Sequence, residues 1–243
     1  MERRTDPRDR LIVALDTPSL PEAEALADLL AGAVRWFKIG PHLFTAAGPA
    51  AVAAIRRRGE IFLDLKFHDI PSTVAAGVEA AARLGASLCN VHALGGRAML
   101  EAASRAAREA PPGPSGRMRV IGVTLLTSDD AATLEEIGVK GDPAAEALRL
   151  ARLAQVGGLD GVVASPLDAA AVRKACGPDF LIVTPGIRPE GSDRDDQRRT
   201  ETPAAAIAAG ADMLVVGRAI TRARDSRAAA EEILRQMGGG GRG

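Results

Sequence analysis

Apolar residues recur along the chain in short runs of strand length, at 11–16, 34–40, 61–66, 87–93, 119–126, 161–165, 180–186 and 213–218, a spacing that predicts eight strands. Between them lie Ala-rich segments whose apolar positions follow the helical period, among them 21–30, 71–84, 97–109, 143–156, 167–175, 203–209 and 226–237. Four of these open on a proline, Pro21, Pro71, Pro143 and Pro203, at the one turn of a helix where a missing N–H has no partner to lose. Strand and helix therefore alternate from one end to the other.

Eight such units predict an α/β fold in which eight parallel strands close into a (β/α)8 TIM barrel, burying both faces of the sheet and leaving no edge. The chain of 243 residues has the length of one such barrel, about 250 residues. An open doubly wound sheet is the alternative; it would place Gly-x-Gly-x-x-Gly after the first strand, where this chain has Asp16-Thr17-Pro18-Ser19. The expected organisation is a polar extension over 1–10, a single barrel over 11–237 and a flexible Gly-rich tail over 238–243. Two connections after strands, 127–142 and 187–201, are longer than a turn requires and are candidate lids.

Composition removes several function classes. Lys and Arg total 31 and Asp and Glu total 31, so no overall charge draws the chain to nucleic acid or to an acidic membrane. Six aromatic residues, five Phe and one Trp, are too few for a base-stacking platform. Cys89 and Cys176 make no disulfide framework, and the apolar run at 11–15 is too short for a signal-peptide core or a membrane span. A cytoplasmic enzyme acting on a small molecule is expected.

Barrel enzymes place their chemistry at the C-terminal ends of the strands, and here those ends carry charge. The first strand ends in Asp16, the second carries Lys38, the third carries Asp64 and Lys66 followed by His68 and Asp69, and the eighth ends in Arg218. Side chains alternate along a strand, so Asp64 and Lys66 share the face that Leu63 and Leu65 leave. An isolated pair of this kind can be a structural ion pair. Four groups of alternating sign from neighbouring strands are a different matter, because desolvating each costs several kcal/mol. At an effective dielectric of about 20, a close opposite pair returns roughly 4 kcal/mol, which keeps Asp64 ionised and makes Lys66 a positioned acid.

The seventh and eighth connections suggest the ligand. Thr184-Pro185-Gly186-Ile187-Arg188 and Val216-Gly217-Arg218 fall where barrels bind phosphate, with glycine letting backbone N–H groups approach and arginine supplying a fork. Turn glycines and solvated arginines are the plainer alternative. Likewise, the polar run from Gly191 to Arg199 is either a lid or an exposed loop. His42, His68 and His92 lie near strand ends, which keeps a metal-dependent enzyme in view. They lack the usual ligand spacing, and Lys38 and Lys66 would repel a cation. Cys89 and Ser165 have no matching base, so nucleophilic catalysis is not expected.

The segment Asp64-Leu65-Lys66-Phe67-His68-Asp69-Ile70-Pro71 resembles the signature of the orotidine 5′-phosphate decarboxylase family. Further segments resemble the family in family order: Leu15-Asp16, Phe37-Lys38-Ile39-Gly40, Asn90-Val91-His92-Ala93, Val123-Thr124-Leu125-Leu126-Thr127-Ser128, Thr184-Pro185-Gly186-Ile187-Arg188-Pro189, Asp196-Gln197-Arg198-Arg199 and Val216-Gly217-Arg218. Related phosphosugar barrels share Asp-x-Lys-x-x-Asp, so the specificity lies in its combination with the last two phosphate-end segments.

The resemblance implies loss of CO2 from orotidine 5′-phosphate to give UMP, the last step of pyrimidine nucleotide synthesis, without metal or cofactor, in a homodimer. It implies ribose contacts from Asp16 and Lys38, with Lys38 also holding Asp64. Asp64 would face the substrate carboxylate, Lys66 would protonate C6, and Asp69 would reach the partner subunit's site. Thr127 would recognise the pyrimidine, Gln197 would bridge base and phosphate, and Arg188, Gly217 and Arg218 would serve the phosphate. Ile70, Thr73 and Pro185 complete the implied substrate-binding set.

Overall fold

The computed structural model describes residues 6–139, 141–189 and 201–238. Eight strands, β1 (Leu11–Ala14), β2 (Trp36–Ile39), β3 (Glu60–Phe67), β4 (Leu88–His92), β5 (Arg119–Val123), β6 (Gly161–Val163), β7 (Leu181–Thr184) and β8 (Met213–Val216), pair in sequence order, all parallel. Leu11 of β1 lies in register with Leu214 of β8, which closes the barrel and excludes the open sheet.

Alternation sorts every strand into two faces. Outward residues such as Val13, Phe37, Leu63, Cys89 and Ile182 pack against the surrounding helices in the larger core. Inward residues Ile12, Trp36, Phe62, Leu88, Ile121, Val183 and Met213 fill the barrel. Advancing two residues along the inward face passes from this apolar plug to polar chemistry: Ile12 and Ala14 lead to Asp16, Trp36 to Lys38, Phe62 to Asp64 and Leu88 to Asn90. The plug keeps water from the lower barrel, and each large side chain it buries contributes about 1.5–3 kcal/mol.

The predicted helices form with small shifts: Leu20–Leu30, Pro71–Leu84, Gly96–Glu109, Pro143–Val156, Ala169–Cys176, Pro203–Ala208 and Ser226–Gly238. Their starts are fixed by side-chain caps as well as by proline. The Asp142 carboxylate accepts the Ala145 N–H at 3.0 Å and the Thr202 hydroxyl accepts the Ala205 N–H at 3.2 Å. Gly238, the first residue of the expected tail, closes the last helix; residues 239–243 lie outside the described residues.

Three segments differ from the sequence reading. Between β2 and β3, where the sequence reading gives no helix bounds, two short helices, Pro41–Ala47 and Pro49–Ile55, are divided at Gly48, whose φ of 57° suits glycine. The connection 127–142 contains a helix, Ala131–Glu136, started by Asp130, whose carboxylate accepts the Thr133 N–H at 3.0 Å. The strands stop short of the ends of their apolar runs: Asp16, Gly40, Gly186 and Arg218 lie beyond the ladder, and Arg218 opens a short helix, Arg218–Thr221. These residues turn toward the barrel mouth instead of extending the sheet.

Candidate active site

At the C-terminal mouth, strand ends surround a cavity of about 720 Å³. Its apolar floor includes Ala14, Phe62, Val123 and Val163, the upper rim of the barrel plug. On one side, β1, β2 and β3 supply a chain of alternating charge. The Lys38 ammonium lies 3.2 Å from Asp16 Oδ1 and 3.2 Å from Asp64 Oδ2, and the Lys66 ammonium lies 2.7 Å from Asp64 Oδ1.

The middle of this chain is buried and its ends are more open. The side chains of Lys38 and Asp64 are each 11% exposed, whereas that of Lys66 is 33% exposed. Burial opposes the charge of Lys38, but Asp64 and Asp16 outweigh it and raise the pKa of the ammonium. Burial likewise works against Asp64, yet Lys38, Lys66 and hydrogen bonds from Lys66 and Asn90 lower the pKa of the carboxyl below its ordinary value. Both inner groups are thus held charged, and of the two lysines Lys66 is the more open to a ligand.

Lys66 is also the single non-glycine described residue with positive φ, at 50°. The cause is in the ladder: β3 and β4 are in register through Leu63 with Cys89, and again at Phe67 with Val91, so β3 carries extra residues in between. Its bulge leaves the Lys66 N–H away from a carbonyl partner, and Asn90 Oδ1 accepts it at 2.8 Å. Asn90 Nδ2 donates in turn to Asp64 Oδ1 at 2.7 Å. One fully buried amide therefore fixes both the backbone of the lysine and the carboxylate beside it.

Arg188, Gly217 and Arg218 line the other side of the cavity, with Pro185 and Gly186 next to them and Thr127 at the β5 connection. Gly186 has φ 79°, a left-handed conformation that favours glycine. The structure thus brings Asp16, Lys38, Asp64, Lys66, Thr127, Pro185, Arg188, Gly217 and Arg218 of the predicted set to one cavity. It does not bring Asp69, Ile70 or Thr73 there: they belong to an exposed stretch after β3, where Ile70 is 64% exposed. Gln197, with most of the 187–201 connection, lies outside the described residues.

Cys89 points outward into the packed layer between strands and helices, and burial pushes its thiol pKa up. Ser165 is buried, and its hydroxyl accepts the Leu167 N–H at 3.2 Å. His42 is exposed on the helix after β2. His68 and His92 stack with ring centroids 5.4 Å apart, and burial, His68 and Lys66 lower the pKa of His92 against the opposing pull of Asp129. No group of three or more His, Cys, Asp or Glu able to hold a metal occurs among the described residues.

Asn90, Ser128 and Arg222 are site residues that received no role from the sequence. A signal existed for Asn90, an amide inside an apolar strand at an inward position. Arg222 stands four residues after Arg218, one helical turn on.

Comparison with known proteins gives the family. Residues 9–233 match the family model described as Orotidine 5'-phosphate decarboxylase / HUMPS family. The chain is 55% identical over 233 residues to the orotidine 5′-phosphate decarboxylase of Halorhodospira halophila, covering 96% of this chain and 97% of that one. It is 50% identical over 235 residues to that of Trichlorobacter lovleyi, with 96% and 97% covered. The crystal structure of orotidine 5′-phosphate decarboxylase from Lactobacillus acidophilus superposes with a TM-score of 0.83 at 37% identity, covering 94% of this chain and 99% of that one.

Proposed function

The chain belongs to the orotidine 5′-phosphate decarboxylase / HUMPS family, its enzyme class is that of the decarboxylase, a carbon–carbon lyase of pyrimidine biosynthesis, and from that premise we propose how its site works. The bond from C6 to the carboxylate of orotidine 5′-phosphate breaks, CO2 leaves, and the electron pair remains on C6 in the plane of the ring. The ring π system stabilises that pair poorly, so fixed charge must do so. The Lys66 ammonium faces C6, stabilises the developing charge and gives its proton to C6, which yields UMP and a neutral amine. No metal or cofactor takes part.

The observation that carries this reading is the charged chain Asp16–Lys38–Asp64–Lys66 along the cavity, in which Lys66 is the more exposed of the two ammoniums. Asp64 faces the substrate carboxylate and disfavours the bound substrate relative to the transition state, a contribution secondary to that of the lysine. Asp16 and Lys38 bind the ribose hydroxyls, and Lys38 also holds Asp64. Thr127 and Gln197 recognise the base, with Gln197 also reaching the phosphate. Pro185, Arg188, Gly217 and Arg218 serve the phosphate end.

Two copies of the chain form the working unit, with Asp69, Ile70 and Thr73 presented across the interface. The exposure of these three residues, away from their own cavity, supports that assignment. The enzyme works in the cytoplasm on a nucleotide, without nucleic acid or membrane; no helix among the described residues is long and apolar enough to cross a membrane. Decarboxylation of orotidine 5′-phosphate in excess EDTA tests the proposal: turnover persists unchanged, whereas loss on chelation with rescue by Mg2+ assigns the site to a metal-dependent barrel. A wild-type chain that binds UMP but releases no CO2 is a binding module.

A further inference from the structure

Gly40 closes the segment Phe37-Lys38-Ile39-Gly40, and the reading above gives it no task. It is buried, lies just past β2 and precedes the helix Pro41–Ala47 without lining the cavity. Its backbone does not call for glycine: φ is −96° and ψ is −176°, an extended conformation that residues with side chains adopt freely. As the N-cap of that helix it stands where serine, aspartate or asparagine would accept an N–H of the first turn, and it provides no such cap. Both local rules favour a side chain at a position that has none.

The charge chain beside it supplies the reason. A methyl group on Gly40 would stand 3.0 Å from the Lys38 ammonium nitrogen and 3.2 Å from Asp16 Oδ1, closer than the roughly 3.5–4.0 Å at which non-bonded carbon atoms pack best. The end of a lysine ordinarily swings clear of such a contact. This one is buried and stands 3.2 Å from Asp16 on one side and 3.2 Å from Asp64 on the other. A shift of a few tenths of an ångström therefore takes it off the position that serves both carboxylates. Asp16 is half exposed and can give way instead, but that opens its own pair with Lys38. Either displacement is passed on, because Asp64 is paired with Lys38 and with Lys66 at once.

We propose that Gly40 is a positioning residue of the site: the space left by its missing side chain seats the Lys38 ammonium between Asp16 and Asp64, and through Asp64 sets the place of Lys66. Gly40 acts through Lys38 and supplies no chemistry itself. Its effect on turnover rests on the decarboxylase reading, whereas its contact with Lys38 does not.

Gly40→Ala, made in the wild type and again in Lys38→Gln and Lys38→Met backgrounds, tests this by kcat for orotidine 5′-phosphate and by thermal melts. In the wild type the methyl group is expected to lower kcat about tenfold, part of what a full ångström of misplacement costs, and to lower the melting temperature. Glutamine and methionine side chains end one atom short of the lysine nitrogen, so in those backgrounds the methyl meets no ammonium. There alanine leaves the melting temperature unchanged or raises it, because it restricts the unfolded chain. This non-additivity separates a contact with Lys38 from a requirement of the backbone. An unchanged kcat in Gly40→Ala, or the same fall in melting temperature with and without Lys38, overturns the assignment. A wild-type chain that releases no CO2 defeats the decarboxylase reading instead, and the melts alone then decide the role of Gly40.

Discussion

The buried side chain of Asn90 accepts the backbone N–H of Lys66 at 2.8 Å and so holds the lysine in a left-handed conformation that its own ladder does not support. The same amide donates to Asp64 at 2.7 Å. Ammonium and carboxylate are therefore positioned by one residue that makes no chemistry of its own. Asn90→Ala is expected to lower kcat about a hundredfold through misplacement of the lysine, and to cost about 1–3 kcal/mol of stability from the groups left unpaired. Turnover and urea denaturation of the purified variant check both; an unchanged kcat shows that the bulge holds Lys66 without help.

A second expectation concerns the backbone at 66. A side chain with positive φ costs roughly 1–2 kcal/mol, which glycine escapes at the expense of a more mobile unfolded chain. Lys66→Gly is thus expected to be more stable than Lys66→Ala by about 1 kcal/mol, although both lack the ammonium. Thermal melts of the two variants decide it. If alanine is equally stable or better, position 66 is not strained.

The pH dependence of stability follows from the buried pair. Burial alone would raise the pKa of Asp64, but Lys38, Lys66 and the hydrogen bonds that Lys66 and Asn90 donate to it lower it. On acidification the unfolded chain takes up this proton first, so the contribution of Asp64 is complete above about pH 4 and is lost as pH falls through the lower folded value. Lys38 is the converse: its raised pKa makes its contribution complete below about pH 10 and lost as pH rises further. Asp64→Asn leaves Lys38 with the half-exposed Asp16 alone, and is expected to cost about 3–5 kcal/mol near neutrality while flattening the acid limb. Denaturation across pH measures this, and a variant parallel to the wild type from pH 2 to 5 argues against a charged Asp64.

Asp69 supplies a test of shared sites. Neither Lys66→Ala nor Asp69→Ala subunits alone should turn over efficiently. Mixing them under conditions of subunit exchange is expected to restore about one competent site per mixed dimer, because one chain then supplies an intact Lys66 and its partner an intact Asp69. Activity after mixing that stays at the sum of the separate preparations indicates sites built from a single chain.

Much of this architecture is legible in the sequence because the two periods are clean. Period-two runs place Asp16, Lys38, Asp64 and Lys66 on inward faces, and the structure joins them into one chain of charge. What alternation does not encode is how far a strand continues: Gly186 and Arg218 belong to apolar runs yet leave the ladder. Nor does it encode the bulge in β3, which depends on register against β4 and hence on Asn90, a contact 24 residues away in sequence. The helix at Ala131–Glu136 went unpredicted because six residues give too little periodicity, although the cap at Asp130 marked its start. The exposed Asp69, Ile70 and Thr73 carry no signal of location within one chain, since the role proposed for them across an interface is a property of two.

The proton on Lys66 is the central claim, and CO2 release from orotidine 5′-phosphate by metal-stripped wild type and Lys66→Ala, compared side by side with UMP affinity for each, tests it most directly. The account predicts CO2 release by the wild type, a fall of several orders of magnitude in the variant, and UMP still bound by both. Release by the variant within tenfold of the wild type would contradict it.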